Sequence, residues 1–384
     1  MQLNLSPPRH PAIAQKLYEH SPIQLLYNLA SAQPCPTVYA SSSMLQNRKP
    51  LGELGLIEQI RRTFSSQRSG RGNSLALGIG DDCAILRPPR GQEILVTTDF
   101  SLEDRHFRRD LHPAASVGHR CLARGLSDLA AMGATPLAAF LSLALPAEML
   151  RTARGQRWID GFFSGLRTLA LRHNTPLAGG DTSQSPADLI LADIILIGSA
   201  PTGRSLRRSG AHPGDILYVT GSLGGAQAEL SALPASKRPS RATASPSHPH
   251  LYPQPRLAIG ATLLRRRLAT AAIDLSDGLS TDLTHLCESS CLRAELDAAS
   301  IPLHSLAKKL PPDQALHAAL HGGEDYELLF TASPTTRIPR SIAEVPITRI
   351  GTLHRTHANK PRITLIRPAK APTELKPGGW QHFS

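Results

Sequence analysis

Beyond residue 50 the chain alternates short apolar runs with stretches whose apolar residues recur three and four apart. The longer spacing predicts helices over residues 53–64, 113–131, 147–172, 257–268, 278–288 and 314–320. The short runs predict strands over 75–79, 93–98, 137–145, 189–198, 216–221, 271–275 and 326–331. Few of these segments follow strict strand–helix–strand spacing, which favours an α+β fold over a doubly wound sheet.

The gaps in the pattern carry the organisation. Residues 1–50, rich in Pro, Ser, Gln and Asn, keep no period and read as an unstructured extension. Met44 offers an alternative start. The apolar run at 23–32 is short and broken by Gln24, Tyr27 and Asn28, which argues against a secretory leader. With 384 residues, two domains are expected. The stretch "SAPTGRSLRRSGAHPGD" at 199–215 reads as their link, giving a first domain over 51–199, a linker at 200–213 and a second domain over 214–384. Residues 232–256 are Pro/Ser/His-rich and predict a long mobile surface loop with surface histidines.

Composition narrows the class. The hydrophobic fraction is 41%, and no run approaches the ~20 apolar residues of a membrane span. Five cysteines form no CxxC pair and no even disulfide framework, so a reducing cytoplasm is the simplest setting. A formal charge of +12 raises nucleic acid as a partner. The arginines are scattered, however, and aromatic residues do not interleave with them, which leaves no stacking platform for single strands. The same positive field suits a small anionic substrate.

Against that charge, acids gather in motifs of one grammar, each beside Gly or a small hydroxyl residue at the edge of an apolar segment. They are "GIGDDCAIL" at 78–86, "TTD" at 97–99, "LSDLAAMGA" at 126–134, "GGDTS" at 179–183, "DLSDGL" at 274–279 and "GGEDYELLF" at 322–330. A single Asp beside Gly can be a turn residue. Carboxylates gathered from several segments would repel one another unless cations sat among them. Oxygen donors of this kind suit Mg2+, which it shares with substrate phosphates. There is no GxxxxGK[ST] loop, no kinase HRD–DFG set and no nucleophile–base pair close in sequence.

In order and spacing, "GIGDDCA", "TTD…HF", "LSDLAAMGA", "GGDT", "GRSLRRSGAHPGD…YVTG", "IDLSDGL" and "GGEDYEL" closely resemble the thiamine-monophosphate kinases of the aminoimidazole-ribonucleotide-synthetase (PurM-like) superfamily. The resemblance covers residues 52–384. It implies two α+β domains, the N-terminal ones pairing into a homodimer around a shared β-barrel and the C-terminal one an α/β sandwich. It further implies transfer of the γ-phosphoryl of ATP to thiamine monophosphate, giving thiamine diphosphate, with several Mg2+ ions. By motif, metal ligands fall on Asp82, Asp99, Asp128, Asp181, Asp274 and Asp277, with oxygens from Thr97 and Thr98. Nucleotide contacts fall on Gly180, Asp181, Arg208 and Ser276, and substrate contacts on His106, Glu324 and Trp380; Asp99, Asp181 and Arg208 would carry the catalysis. The attacking phosphate, with a second pKa of ~6, is already largely ionised at neutral pH, so no general base is required.

Two departures stand out. Gly125 replaces the family's common Asn, and "TTDFSLEDRHF" adds Glu103 and Asp104 near His106. The rival readings are a selenophosphate synthetase, a hydrogenase-maturation enzyme and a basic nucleic-acid-binding protein. The first would want a reactive Cys and Lys near the N-terminus, and the second a C-terminal Cys; neither is present.

Overall fold

The computed structural model describes residues 51–64, 74–233, 245 and 247–380. The expected N-terminal extension lies outside these residues. The first half runs α1 (Glu53–Phe64), β1 (Leu75–Leu77), β2 (Ile85–Leu86), β3 (Gln92–Leu102), α2 (Ala114–Ala131), β4 (Thr135–Leu145), α3 (Ala147–Arg151), α4 (Ala153–Arg172), β5 (Leu177–Gln184) and β6 (Leu191–Pro201). The second half runs β7 (Ile216–Thr220), α5 (Gly225–Ala232), α6 (Leu257–Arg265), β8 (Ala271–Asp274), α7 (Leu279–Ser289), β9 (Leu292–Asp297), α8 (Pro312–His321), β10 (Leu328–Ala332), β11 (Ser341–Ile342), β12 (Val345–Arg355), β13 (Ile363–Ile366) and β14 (Thr373–Glu374).

Each half builds one principal sheet. The first has strand order β3-β6-β4-β5, and the second β14-β13-β9-β12-β7-β10-β8 with β11 added beside β12. Pairing is antiparallel except for β4–β5 and β9–β13. The mixed content agrees with the expected helices and strands, and no closed barrel forms among the described residues.

Helix α2 is the element both halves share. Its inner face carries Leu122, Leu126 and Leu129, which join one core with Leu141 and Leu196 of the first sheet, Phe162 of α4, Leu263 of α6 and Phe330 of β10. Fourteen of its 18 residues are buried, polar His119, Arg120 and Ser127 among them, so α2 is covered on nearly every side. A second core packs β7–β9 and β12 against α7 and α8.

Two expectations are corrected here. The single helix over 147–172 is broken at Thr152, whose backbone is extended and whose hydroxyl accepts the Gly155 N–H at 3.2 Å. A Thr that caps more readily than it continues a helix ends α3 and starts α4. The mobile loop is corrected in part: residues 234–244 and 246 lie outside the description, but 250–253 are buried against α2. Ser116 and His119 hold the carbonyls of Leu251 and Pro253 at 2.8 and 2.7 Å. His250 is only 1% exposed, so it is a core histidine and not a surface one. Proline-rich composition hid a segment whose Leu251 and Tyr252 are core residues.

Candidate active site

Two acid motifs of the second half and the Gly378–Trp380 segment are stitched together by backbone bonds. The Glu324 and Tyr326 N–H groups donate to the carbonyls of Ser276 and Leu275 at 2.8 and 2.9 Å, and the Trp380 N–H donates to the Asp277 carbonyl at 3.1 Å. Asp282 accepts the N–H groups of Asp277 and Gly278 at 3.1 and 3.0 Å, which shapes the turn into α7. Glu324 and Tyr326 sit at φ +67° and +49°. Non-glycine residues there cost about 1–3 kcal/mol each and persist only where neighbours over-determine them.

The first half closes the other side. Arg120, Arg124 and Asp128 follow one another at four-residue spacing on α2, so they line one face of it. With β3 and the loop after it, Arg124 and Asp128 complete a cavity of about 580 Å³, while Arg120 lies behind its wall. Its walls bring together Asp99, Asp128, Asp274, Ser276, Asp277, His106, Glu324 and Trp380. Asp82, Gly180 and Asp181 line a separate cavity of about 570 Å³ among α1, β4 and β5. Arg208 lines neither, yet its charge acts on Asp128 and Asp274.

The alternation of β3 sorts the remaining candidates. Thr97 and Asp99 share its inner face, where the Thr97 hydroxyl donates to Asp128. Thr98 points to the opposite face and donates to Asp193 at 2.7 Å, so its side chain is turned away from Asp99. Gly180, at φ +145°, lies in β5 opposite Leu141, and a Cβ there would run into the Leu141 carbonyl. Only glycine fits this approach. Gly125 is also a packing position: a Cβ would stand 2.5 Å from Leu196 Cδ1 and 3.5 Å from Thr97 Cγ2. The added Glu103 is buried; it pairs with Arg109 and accepts the Ile190 N–H at 2.9 Å, while Asp104 turns the chain at φ +63°.

Electrostatics separate the carboxylates. Burial pushes Asp99 up to about 6, with Asp128 and Glu324 adding like charge and Arg124 opposing. Burial likewise raises Asp128 and Asp274, and Asp128 repels Asp274 further. Glu324 goes the other way. Burial works against its charge, but Arg120, His250 and Arg124 outweigh it and hold it well below the usual carboxylate range. Arg120 reaches Glu324 Oε1 at 2.5 Å, the His106 carbonyl at 3.0 Å and His250 Nε2 at 2.7 Å. His250 Nδ1 lies 3.1 Å from Glu324 Oε2, and His112 meets His250 at 3.0 Å. Burial and the Arg120 charge keep both histidines neutral, His112 falling to about 3.

Sequence reading missed Arg120, Arg124, His112 and His250. The four-residue spacing of Arg120, Arg124 and Asp128 was a readable signal, whereas nothing in the Pro-rich segment marked His250 as buried.

The architecture and its acid-lined cavity define a class that the comparisons name: residues 80–200 match the family "AIR synthase related protein, N-terminal domain". The thiamine-monophosphate kinase of Escherichia coli K12 is 39% identical over 342 residues, covering 87% of this chain and 98% of that protein. The crystal structure of thiamine-monophosphate kinase from Stenotrophomonas maltophilia K279a superimposes with a TM-score of 0.69 at 35% identity, covering 84% of this chain and 98% of that one. A second structure, AaThiL complexed with AMPPCP and TMP, gives a TM-score of 0.64 at 28% identity, covering 86% and 97%. The chain belongs to the thiamine-monophosphate kinase family.

Proposed function

We propose that the 580 Å³ cavity is where this chain, using ATP, phosphorylates thiamine monophosphate to thiamine diphosphate. The observation that carries the reading is the meeting of four aspartates from both halves with Glu324, His106 and Trp380 around one cavity. The obstacle to the reaction is bringing two polyanions into line, not removing a proton.

The donor set fits Mg2+ in kind. Asp99, Asp128, Asp274 and Asp277 offer hard oxygens; burial has raised the first three, and neighbouring carboxylates add to the rise at Asp99 and Asp274. No three His, Cys, Asp or Glu side chains among the described residues converge on one point. One or two carboxylates per ion, completed by water and phosphate oxygens, is the usual Mg2+ arrangement. When bound, such ions would neutralise the negative charge of the phosphates. The protein's own part is to gather Asp99, Asp128 and Asp274 at one wall of the cavity, where burial disfavours their charge until cations arrive, with the Arg208 charge acting on Asp128 and Asp274. Glu324 and Trp380 then face the cationic thiazolium of the substrate. Asp82, Gly180 and Asp181, in the neighbouring cavity, serve the nucleotide and a further ion. Because Thr98 turns outward, any oxygen it gives comes from its backbone.

On β3 the outer face exposes Ile94, Val96 and Phe100, with Leu191 exposed on the adjacent β6. Such an apolar sheet face suits pairing with a second copy into the homodimer. The fold then reads as a first domain over 51–199, a linker and a second domain from 214. The free cysteines, with no described helix long and apolar enough to cross a membrane, accord with a cytoplasmic setting.

The test is incubation with ATP, Mg2+ and thiamine monophosphate, reading thiamine diphosphate. ADP without that product, with turnover on another acceptor, keeps the fold family and discards the substrate.

A further inference from the structure

Arg124 has no part in the scheme above, yet it is the most enclosed guanidinium lining the cavity, 13% exposed. Its Nε donates to Asp99 Oδ1 at 3.0 Å, and its Nη1 comes only within 4.0 Å of Glu324 Oε1. Glu324 is already held by Arg120 at 2.5 Å and His250 at 3.1 Å. A guanidinium carries five N–H donors in a rigid fork. Here one is spent on Asp99, and among the described residues the two terminal amines have no hydrogen-bond acceptor. They stand between Asp99, on the acid side of the cavity, and Glu324, on the side of His106. A planar fork of free donors in an enclosed cavity is matched by a phosphate or carboxylate, two oxygens at a time.

We infer that Arg124 binds the phosphate of the acceptor substrate and turns one of its oxygens toward the nucleotide. The Asp99 bond fixes the plane of the guanidinium, so the free edge is presented without rearrangement. In the transfer itself that phosphate oxygen forms a bond to the γ-phosphorus while the bond to the β,γ-bridging oxygen breaks, and ADP leaves with the electron pair. Arg124 donates hydrogen bonds throughout and exchanges no proton. The inference rests on the kinase reading for the identity of the acceptor, but its test does not depend on turnover.

The test compares binding of thiamine monophosphate with binding of thiamine, by calorimetry on the full chain without metal or nucleotide. Thiamine lacks only the phosphate. The wild type should prefer the monophosphate. Arg124→Met should lose about tenfold to hundredfold in affinity for the monophosphate, with thiamine binding unchanged, and Arg124→Lys should recover part of the loss. With ATP and Mg2+ present, KM for thiamine monophosphate should rise in both variants while KM for ATP stays within about twofold. An unchanged preference for the monophosphate in Arg124→Met overturns the inference, as does an equal loss for both ligands. If Arg124→Met does not fold, Arg124→Lys decides by the same ratio. A wild type that shows the preference but makes no thiamine diphosphate sinks the kinase reading and leaves the phosphate contact standing.

Discussion

Trp380 offers the sharpest test of how the substrate sits. It closes the cavity after Gly378 and Gly379 and is 48% exposed, so it is a wall residue and not a plug of the second core. An indole presents ~250 Å², of which about half is open here. Covering half of that open area with a ligand at ~25 cal/mol per Å² contributes about 1.5 kcal/mol. A thiazolium over the ring adds ~0.5–1 kcal/mol at a partly wet contact. The sum, about 2 kcal/mol, corresponds to roughly thirtyfold in affinity. Trp380→Ala should therefore raise KM for thiamine monophosphate by about that factor, leave KM for ATP nearly unchanged, and be partly rescued by Phe or Tyr. Steady-state kinetics with each substrate varied at saturation of the other, together with a thermal melt, measure this. A sharp fall in Tm with both KM values raised alike would show that the indole supports the fold and does not stack on the substrate.

Three further outcomes follow from the geometry. Asp274 is raised to about 7 by burial and by Asp128, so the folded metal-free protein holds a proton there that the unfolded chain releases near pH 4. That stabilising contribution is full below pH 4 and is lost as pH rises toward 7. Melts of Asp274→Asn and wild type without metal should accordingly diverge in the variant's favour between pH 5 and 8; a constant difference would refute the shift. Gly180→Ala should destabilise by about 2 kcal/mol or more, because β5 must move off the Leu141 carbonyl, and an unchanged Tm would count against the close approach. His250→Ala should raise KM for thiamine monophosphate without changing that for ATP, since it loosens Glu324 while leaving the nucleotide cavity intact; a matching rise in both would make His250 a packing residue only.

What was legible in the sequence was what periodicity and local chemistry encode. The helix over 53–64 matches α1 residue for residue, and the long amphipathic pattern of α2 and the apolar run of β4 come within two residues. β12 escaped because Pro346 stands at its start and a register shift falls between Arg349 and Gly351, which breaks alternation. The acid motifs announced themselves by their glycines and hydroxyls. Which of them share a cavity did not, because that depends on how α2 meets β8 and on β5 carrying Gly180 and Asp181 to a different place. The partners of Glu324 were invisible for the same reason: Arg120 and His250 lie far from it along the chain and meet it only in space.

The position of α2 constrains how the enzyme can move. Ser127 donates to Asp274 at 2.7 Å, Arg120 reaches Glu324, and Ser116 and His119 pin the segment carrying Leu251 and Pro253. A hinge between the two sheets would have to break these buried bonds and open the core shared by Leu126, Leu263 and Phe330. Ligands therefore enter at the rim, where the turn at Asp104 and the chain at Gly378 and Gly379 sit beside the half-exposed Trp380, while the floor stays shut. The same fastening makes the halves interdependent in folding. Neither sheet expressed alone could cover α2 on all sides, so the body from residue 48 onward should melt in one cooperative step, with the acid cluster assembled only once both halves are in place.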